Sequence, residues 1–237
     1  MTLEGRTALV AGASRGIGAA IARALADAGA RVALAARSAA ALDALAESLG
    51  RQHLALAYDL TVGASVEALA ARCTAWAGGA PDIVVSSAGV FPRAAAHEQD
   101  PDEFARVLDI NLVAPFRVIR AFLAAMRERG SGDVVTIGSI ADRHIYAGNA
   151  AYAAGKFGAR ALHEVIRAET RGTGVRATLV SPGPVDTAIW NPHEQALGAT
   201  LPLRADMLRS EDVARVVLWV LAQPRHVVID ELRLARA

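Results

Sequence analysis

Residues 7–18 read Thr-Ala-Leu-Val-Ala-Gly-Ala-Ser-Arg-Gly-Ile-Gly, and their order decides the fold. Residues 7–11 form a short apolar run of strand type. Gly12-Ala13-Ser14-Arg15-Gly16-Ile17-Gly18 then interrupts it, and an Ala-rich helical stretch follows to about residue 28, stopped by Gly29. A strand, a glycine turn and a helix N-terminus in succession make an anion site. Glycines let the backbone approach the ligand, and the first N–H groups of a helix have no partner within it. The spacing is G-x-x-x-G-x-G, not the G-x-G-x-x-G of the common dinucleotide fingerprint. A glycine cluster alone is also an ordinary turn; its place between a first strand and a first helix gives it weight.

The remaining chain alternates in the same way. Strands are predicted at residues 31–36, 53–58, 83–86, 133–137, 176–180 and 227–234. Helices are predicted at 39–49, 65–76, 152–170 and 210–221. Asp100-Pro101-Asp102-Glu103 is a strong helix start, with an N-capping acid, proline at the first helical position and acids in the first turn. That helical region runs towards Arg129 in two pieces, one ending near Asn111. Strands alternating with helices predict an α/β fold, a doubly wound parallel sheet with helices on both faces. No repeat or linker divides residues 1–237, so a single domain is expected. Only residues 186–209 leave the rhythm.

Composition narrows the function. With 25 basic and 24 acidic residues the net charge is +1, and no basic block offers a nucleic-acid footprint. Mean hydropathy is +0.29, yet Arg, Asp or Gly breaks every apolar run well short of a membrane span. The first residues do not read as a signal peptide, so a cytoplasmic protein is expected. Cys73 is the sole cysteine, which rules out an internal disulfide or a CxxC metal pair and reads as a core residue. Among the 25 basic residues only Lys156 is a lysine.

The end of the second strand bears on a cofactor. An acid about 20 residues past the glycines would bond an adenosine ribose 2′-OH and favour NAD, whereas arginine accommodates a 2′-phosphate. Residues 35–38 are Ala-Ala-Arg-Ser, without an acid. Arg37, joined by Arg15 from the glycine loop, therefore favours NADP over NAD, since the planar guanidinium gives phosphate two parallel hydrogen bonds. The plainer alternative is that Arg37 is a solvated residue at a strand end.

Tyr152-Ala153-Ala154-Gly155-Lys156 opens a helix, placing a phenol and an ammonium at i and i+4 on one face. A phenol titrates near pH 10, too high for proton transfer at neutrality, and a nearby positive charge lowers that value. Ser139 lies just past the strand at 133–137, on the side where parallel sheets collect ligands, and is placed to stabilise charge on a substrate oxygen. A hydrolase nucleophile is the rival reading. Gly138-Ser139-Ile140-Ala141 lacks the second glycine of the G-x-S-x-G elbow.

Taken together, the glycine loop, Asn111 in Asp109-Ile110-Asn111-Leu112, and the Ser139 to Tyr152-x-x-x-Lys156 spacing resemble the short-chain dehydrogenase/reductase family along nearly the whole chain. The resemblance implies a Rossmann-type parallel sheet of about seven strands and a catalytic set of Asn111, Ser139, Tyr152 and Lys156. Tyr152 would be the acid in reduction and the base in oxidation, Lys156 would hold the nicotinamide ribose, and Asn111 would anchor a relay water. Without the family, Asn111 is equally a polar residue at a helix break. The implied cofactor set is Gly12, Ser14, Arg15, Gly16, Ile17, Gly18, Arg37 and Ser38. Asp59 and Leu60 would meet the adenine; Ser87, Ala88 and Gly89 would follow the fourth strand. Pro182, Gly183, Val185 and Thr187 would wall the nicotinamide, with Tyr152 and Lys156 beside it. Two departures fall under the cofactor: Ala11-Gly12 replaces Thr-Gly, and Ser86-Ser87-Ala88-Gly89 replaces Asn-Asn-Ala-Gly.

Residues 186–209 resemble the family's substrate loop, with Trp190, His193, Leu197 and Leu201 among them. Trp190 is either a pocket residue or a packing anchor. His144 and Tyr146 are further substrate-side candidates, and the mixture suggests a moderately apolar aromatic or alicyclic carbonyl or alcohol. His193 has no partner at metal spacing. The family suggests a homodimer or homotetramer through the helices near residues 115–129 and 152–170. A catalytically silent NADP sensor of the same fold, and family members doing epimerisation or dehydration, are the competing functions.

Overall fold

The computed structural model describes residues 2–193 and 202–237. Leu197, Leu201 and the side chain of His193 lie outside the described residues. Seven parallel strands form one sheet: β1 (Thr7–Ala11), β2 (Arg31–Ala36), β3 (Leu54–Ala57), β4 (Ile83–Ser86), β5 (Gly132–Ile137), β6 (Val175–Pro182) and β7 (Glu231–Leu234). Their order is β3-β2-β1-β4-β5-β6-β7. The helices are α1 (Gly16–Asp27), α2 (Ala39–Leu49), α3 (Gly63–Ala77), α4 (Pro101–Leu108), α5 (Ala114–Arg129), α6 (Ala150–Thr170) and α7 (Ser210–Leu221).

Side-chain alternation splits the core. In β1, Ala8 and Val10 face a cluster with Ile21, Leu25, Leu42, Val213 and Val217 from α1, α2 and α7. Leu9 and Ala11 face Leu69, Phe122, Met126 and Ile166 from α3, α5 and α6. Every residue of β1 and β4 is buried, as a sheet covered on both faces requires. Cys73 joins the second cluster, and burial pushes its thiol up to about 12.

Three local details correct the expectation from sequence. The helical stretch at 101–129 is not two pieces separated near Asn111. It is one run in which a π-helical turn, Asp109–Val113, inserts Asn111 with 1% exposure. Such turns are frequent at functional sites. The last strand begins at Glu231, not near residue 227. The carbonyls ahead of it are taken by side chains of β6 instead of a ladder: Arg176 donates to Val227 O at 3.2 Å, and Thr178 Oγ1 donates to Ile229 O at 2.7 Å. Finally, α6 starts at Ala150, so Tyr152 stands inside its first turn.

At the N-terminal ends of the strands, Asp133 is 3% exposed and meets three arginines. Arg176 Nε and Arg225 Nη1 reach it at 2.6 and 3.0 Å, and Arg6 Nη2 completes the set. This cluster ties β5 and β6 to the segment after α7, leaving the opposite end of the sheet for the site.

Candidate active site

The strand order reverses between β1 and β4, and a crevice opens beyond the carboxyl ends of strands at such a point. Ala11 pairs with Ser86, so the turns after both strands start at the same level. Gly12 has φ +89°, and a Cβ there would lie 2.6 Å from Ala88 N. A Cβ at Gly18 would lie 2.2 Å from Gly12 O. Only glycine lets this loop interlock with the Ser87-Ala88-Gly89 turn and lets α1 start directly behind it.

A cleft of about 500 Å³ runs along these turns. Gly12, Ser14, Arg15, Gly16, Ile17 and Gly18 line it from the loop; Arg37, Ser38, Asp59 and Leu60 line one end; Ser87, Ala88, Gly89 and Thr187 line the rest. Arg15 and Arg37 are both exposed and line the same cleft, Arg37 directly after β2. The Ser38 hydroxyl accepts from Ala41 N at 3.4 Å and so caps α2. Asp59 Oδ1 accepts from Thr61 N and Oγ1 at 2.9 and 2.7 Å. Those hydrogen bonds, helped by the charge of Arg37, hold the Asp59 carboxyl below its ordinary value.

A second cavity, of about 240 Å³, adjoins the first, sharing Ile17, Thr187 and Ile189. Ser139, Tyr146, Tyr152, Pro182, Gly183, Val185 and Trp190 line it. His144 does not: it is exposed on the loop after the short 3₁₀ turn at Ile140–Asp142 and absent from the cavity wall. Trp190 lines the cavity, and its Nε1 donates to Val185 O at 2.9 Å. Phe91 packs edge-on against Tyr152 at 4.7 Å and Trp190 at 5.1 Å between centroids.

The Ser139 hydroxyl accepts from Ala141 N at 3.1 Å, which leaves its own proton to donate. Tyr152 is half-buried. Burial raises its pKa, the charge of Asp142 adds to the rise, and an interaction with Ser139 works in the other direction. Lys156 is 6% exposed, and its Nζ donates to Ile137 O at 3.0 Å. Burial pulls its pKa down to about 8, opposed by Asp142. Lys156 Nζ is 5.7 Å from the Tyr152 ring centroid. Burial, and not this ammonium, sets the direction of the phenol's shift in the protein itself.

The side chain of Asn111 meets the loop after β4. Its Oδ1 accepts from Val90 N and its Nδ2 donates to Val90 O, both at 2.9 Å. Both ends of the amide clamp the turn after Gly89, so its side chain positions the loop that carries Phe91. Sequence reasoning missed Phe91, Arg93 and Asn149, all of which line the second cavity. No motif marks them; they are brought in by the parallel bridge between Ala94 and Asn149.

Among the described residues no cluster of His, Cys, Asp and Glu is built to hold a metal, and no helix is long and apolar enough to cross a membrane. Residues 6–198 match the profile of the short chain dehydrogenase family. The chain is 37% identical to glycine betaine reductase ATRR of Emericella nidulans over 97% of its own length, but spans only 18% of that protein. It is 32% identical to an uncharacterized oxidoreductase of Staphylococcus aureus, covering 97% of this chain and 96% of the other. Among solved structures, a metagenomic short-chain oxidoreductase in complex with NADP superposes with a TM-score of 0.85 at 32% identity, covering 100% and 99% of the two chains. An alcohol dehydrogenase from the archaeon Thermococcus sibiricus, complexed with 5-hydroxy-NADP, gives 0.86 at 30% identity, covering 98% and 97%. With a Rossmann-type sheet of seven parallel strands and these relatives, the chain belongs to the short-chain dehydrogenase/reductase family of oxidoreductases.

Proposed function

We propose that the chain is an NADP(H)-dependent oxidoreductase that interconverts a carbonyl compound and its alcohol. The observation that carries this reading is that Ser139 and Tyr152 line a cavity sharing a wall with the glycine-loop cleft, with Lys156 buried behind them. The cleft's lining supports a dinucleotide: glycines would admit its phosphates, Arg15 and Arg37 line it as exposed guanidiniums that could take a 2′-phosphate, and the end of β2 carries no acid. Bound there, NADPH supplies the hydride. The NADP-complexed relatives support the same choice of cofactor.

Ser139 donates its hydroxyl proton to the substrate oxygen and stabilises the charge that builds there. Tyr152 delivers a proton to that oxygen in reduction and removes it in oxidation. At neutral pH the phenol carries the proton that the acid role needs, and its raised pKa must be lowered by a positive charge nearby for efficient transfer. Lys156 faces the crevice near Gly89 and holds the ribose end of the cofactor. Asn111 acts through Val90 as a positioning residue. The half-exposed Phe116 on α5 and Phe157 on α6 support a homo-oligomer joined through these helices.

The test is NADPH oxidation with a panel of aldehydes and ketones. Tyr152→Phe is expected to lower kcat at least about 100-fold, the lower range for lost acid catalysis, with NADPH affinity retained. Full activity of that variant would overturn the assignment.

A further inference from the structure

Arg93 is the only charged side chain among the described residues lining the second cavity, and the mechanism above does not use it. The other walls nearby are apolar or neutral: Phe91, Ile140, Pro184, Val185, Ile189 and Trp190. The guanidinium meets the loop before α6. Its Nη2 donates to Ala147 O at 3.1 Å, and a Cβ built on Gly148 would stand 3.5 Å from Nη2 and 3.6 Å from Nε. Nε is buried without an acceptor, and among the described residues Nη1 has none either.

A cation so placed is poorly compensated. No carboxylate among the described residues pairs with it, and one backbone carbonyl satisfies one of its nitrogens. An unpaired charge beside an apolar wall strengthens its interaction with any anion that enters, because few waters remain to screen it. Nearby, Asn149 is 7% exposed, lines the same cavity, and has a buried Oδ1 without a partner. Of these open groups the Arg93 donors match a ligand's anionic end, whereas the Asn149 oxygen accepts only from a donor on the ligand.

The geometry points to a carbonyl substrate that carries a carboxylate, with Arg93 as the residue that binds the carboxylate and Phe91 and Trp190 flanking an apolar spacer. The inference rests on the reading of Ser139 and Tyr152 as the carbonyl site and names the substrate class for it. A guanidinium gives a carboxylate charge-assisted hydrogen bonds, and Arg93 keeps donors for them beyond the one it spends on Ala147 O. The plainer view makes Arg93 a staple that only joins the loop at residues 90–94 to the loop at 144–149.

Matched pairs separate the two: 4-formylbenzoate against its methyl ester, and levulinate against methyl levulinate, with NADPH. The wild-type kcat/KM ratio of acid to ester is expected to be about tenfold or more in at least one pair. That ratio should collapse towards one in Arg93→Gln and recover in part in Arg93→Lys. Equal turnover of acid and ester by the wild type would overturn the inference, even if no variant folds. An equal fall for both in Arg93→Gln would overturn it in favour of the staple. Calorimetric binding of the two acids, without turnover, keeps the outcomes apart from the proposed activity. Acid binding that Arg93→Gln abolishes, with neither acid nor ester reduced, would support the anion site and count against the oxidoreductase reading. Ester reduction without acid preference would do the reverse.

Discussion

The Ser181 hydroxyl donates to Asp142 Oδ2 at 2.5 Å, close beside the backbone of Gly138, and so ties the end of β6 to the turn that carries Ser139. Asp142 is fully buried, and its other oxygen accepts from Arg143 Nε at 2.7 Å. Arg143 in turn reaches Glu231 on β7 at 2.5 Å. A paired carboxylate thus sits behind the catalytic hydroxyls, where its charge raises the pKa of both Tyr152 and Lys156.

Asp142→Asn keeps an acceptor for Ser181 but removes that charge. Both Tyr152 and Lys156 then lose their protons at lower pH. Carbonyl reduction needs the protonated phenol, so its alkaline limb should move to lower pH, while oxidation should gain activity at the same pH. A pH profile of kcat/KM in the two directions measures this. An unmoved alkaline limb would count against the electrostatic role of Asp142.

Gly138→Ala and Gly63→Ala should have opposite signs. A Cβ at Gly138 would lie 2.6 Å from Ser181 Oγ and 3.0 Å from both Asp142 Oδ2 and Leu179 Cδ1. Overpacking of that kind costs about 1–3 kcal/mol. Gly63, in the first turn of α3, has nothing within 4 Å of its Cβ position, and alanine there should add about 0.4–1 kcal/mol by restricting the unfolded chain. Denaturant titrations of both variants decide it.

Acid stability should depend on His163. It is 2% exposed in α6, and its Nε2 meets Asp230 O at 3.0 Å, so the neutral ring donates to that carbonyl. Burial lowers its pKa from 6.5. The unfolded chain takes up a proton below about pH 6.5, which the folded ring resists. Stability is therefore fully present above that value and falls as pH drops through 6.5 towards the folded pKa. His163→Gln should be less stable at pH 7.5 but lose less stability between pH 6.5 and 5, as thermal melts would show. Parallel melting curves for the two proteins across that range would contradict the account.

Much of this was legible before any coordinates. The glycine loop, the strand–helix alternation and the Ser139, Tyr152 and Lys156 spacing are local patterns, and local patterns are what backbone conformation and periodicity express. The substrate side was less so. Phe91 meets Tyr152, and Ala94 beside Arg93 meets Asn149, across 61 and 55 positions of chain, which no spacing rule covers. His144 misled for the converse reason: it is near Ser139 in sequence, but it is exposed on the loop after the turn and absent from the cavity wall. Asn111 was found by its motif while its partner, the backbone of Val90, was not. The alternation at residues 227–230 looked like strand because side chains, not a ladder, satisfy its carbonyls.

The most direct measurement is a fluorescence titration of NADPH against NADH on the wild type and on Arg37→Ala. A 2′-phosphate held by Arg37 beside Arg15 predicts that NADPH binds about tenfold or more tightly than NADH, and that Arg37→Ala removes most of the difference. NADH binding as tightly as NADPH, or neither binding at all, would contradict the account.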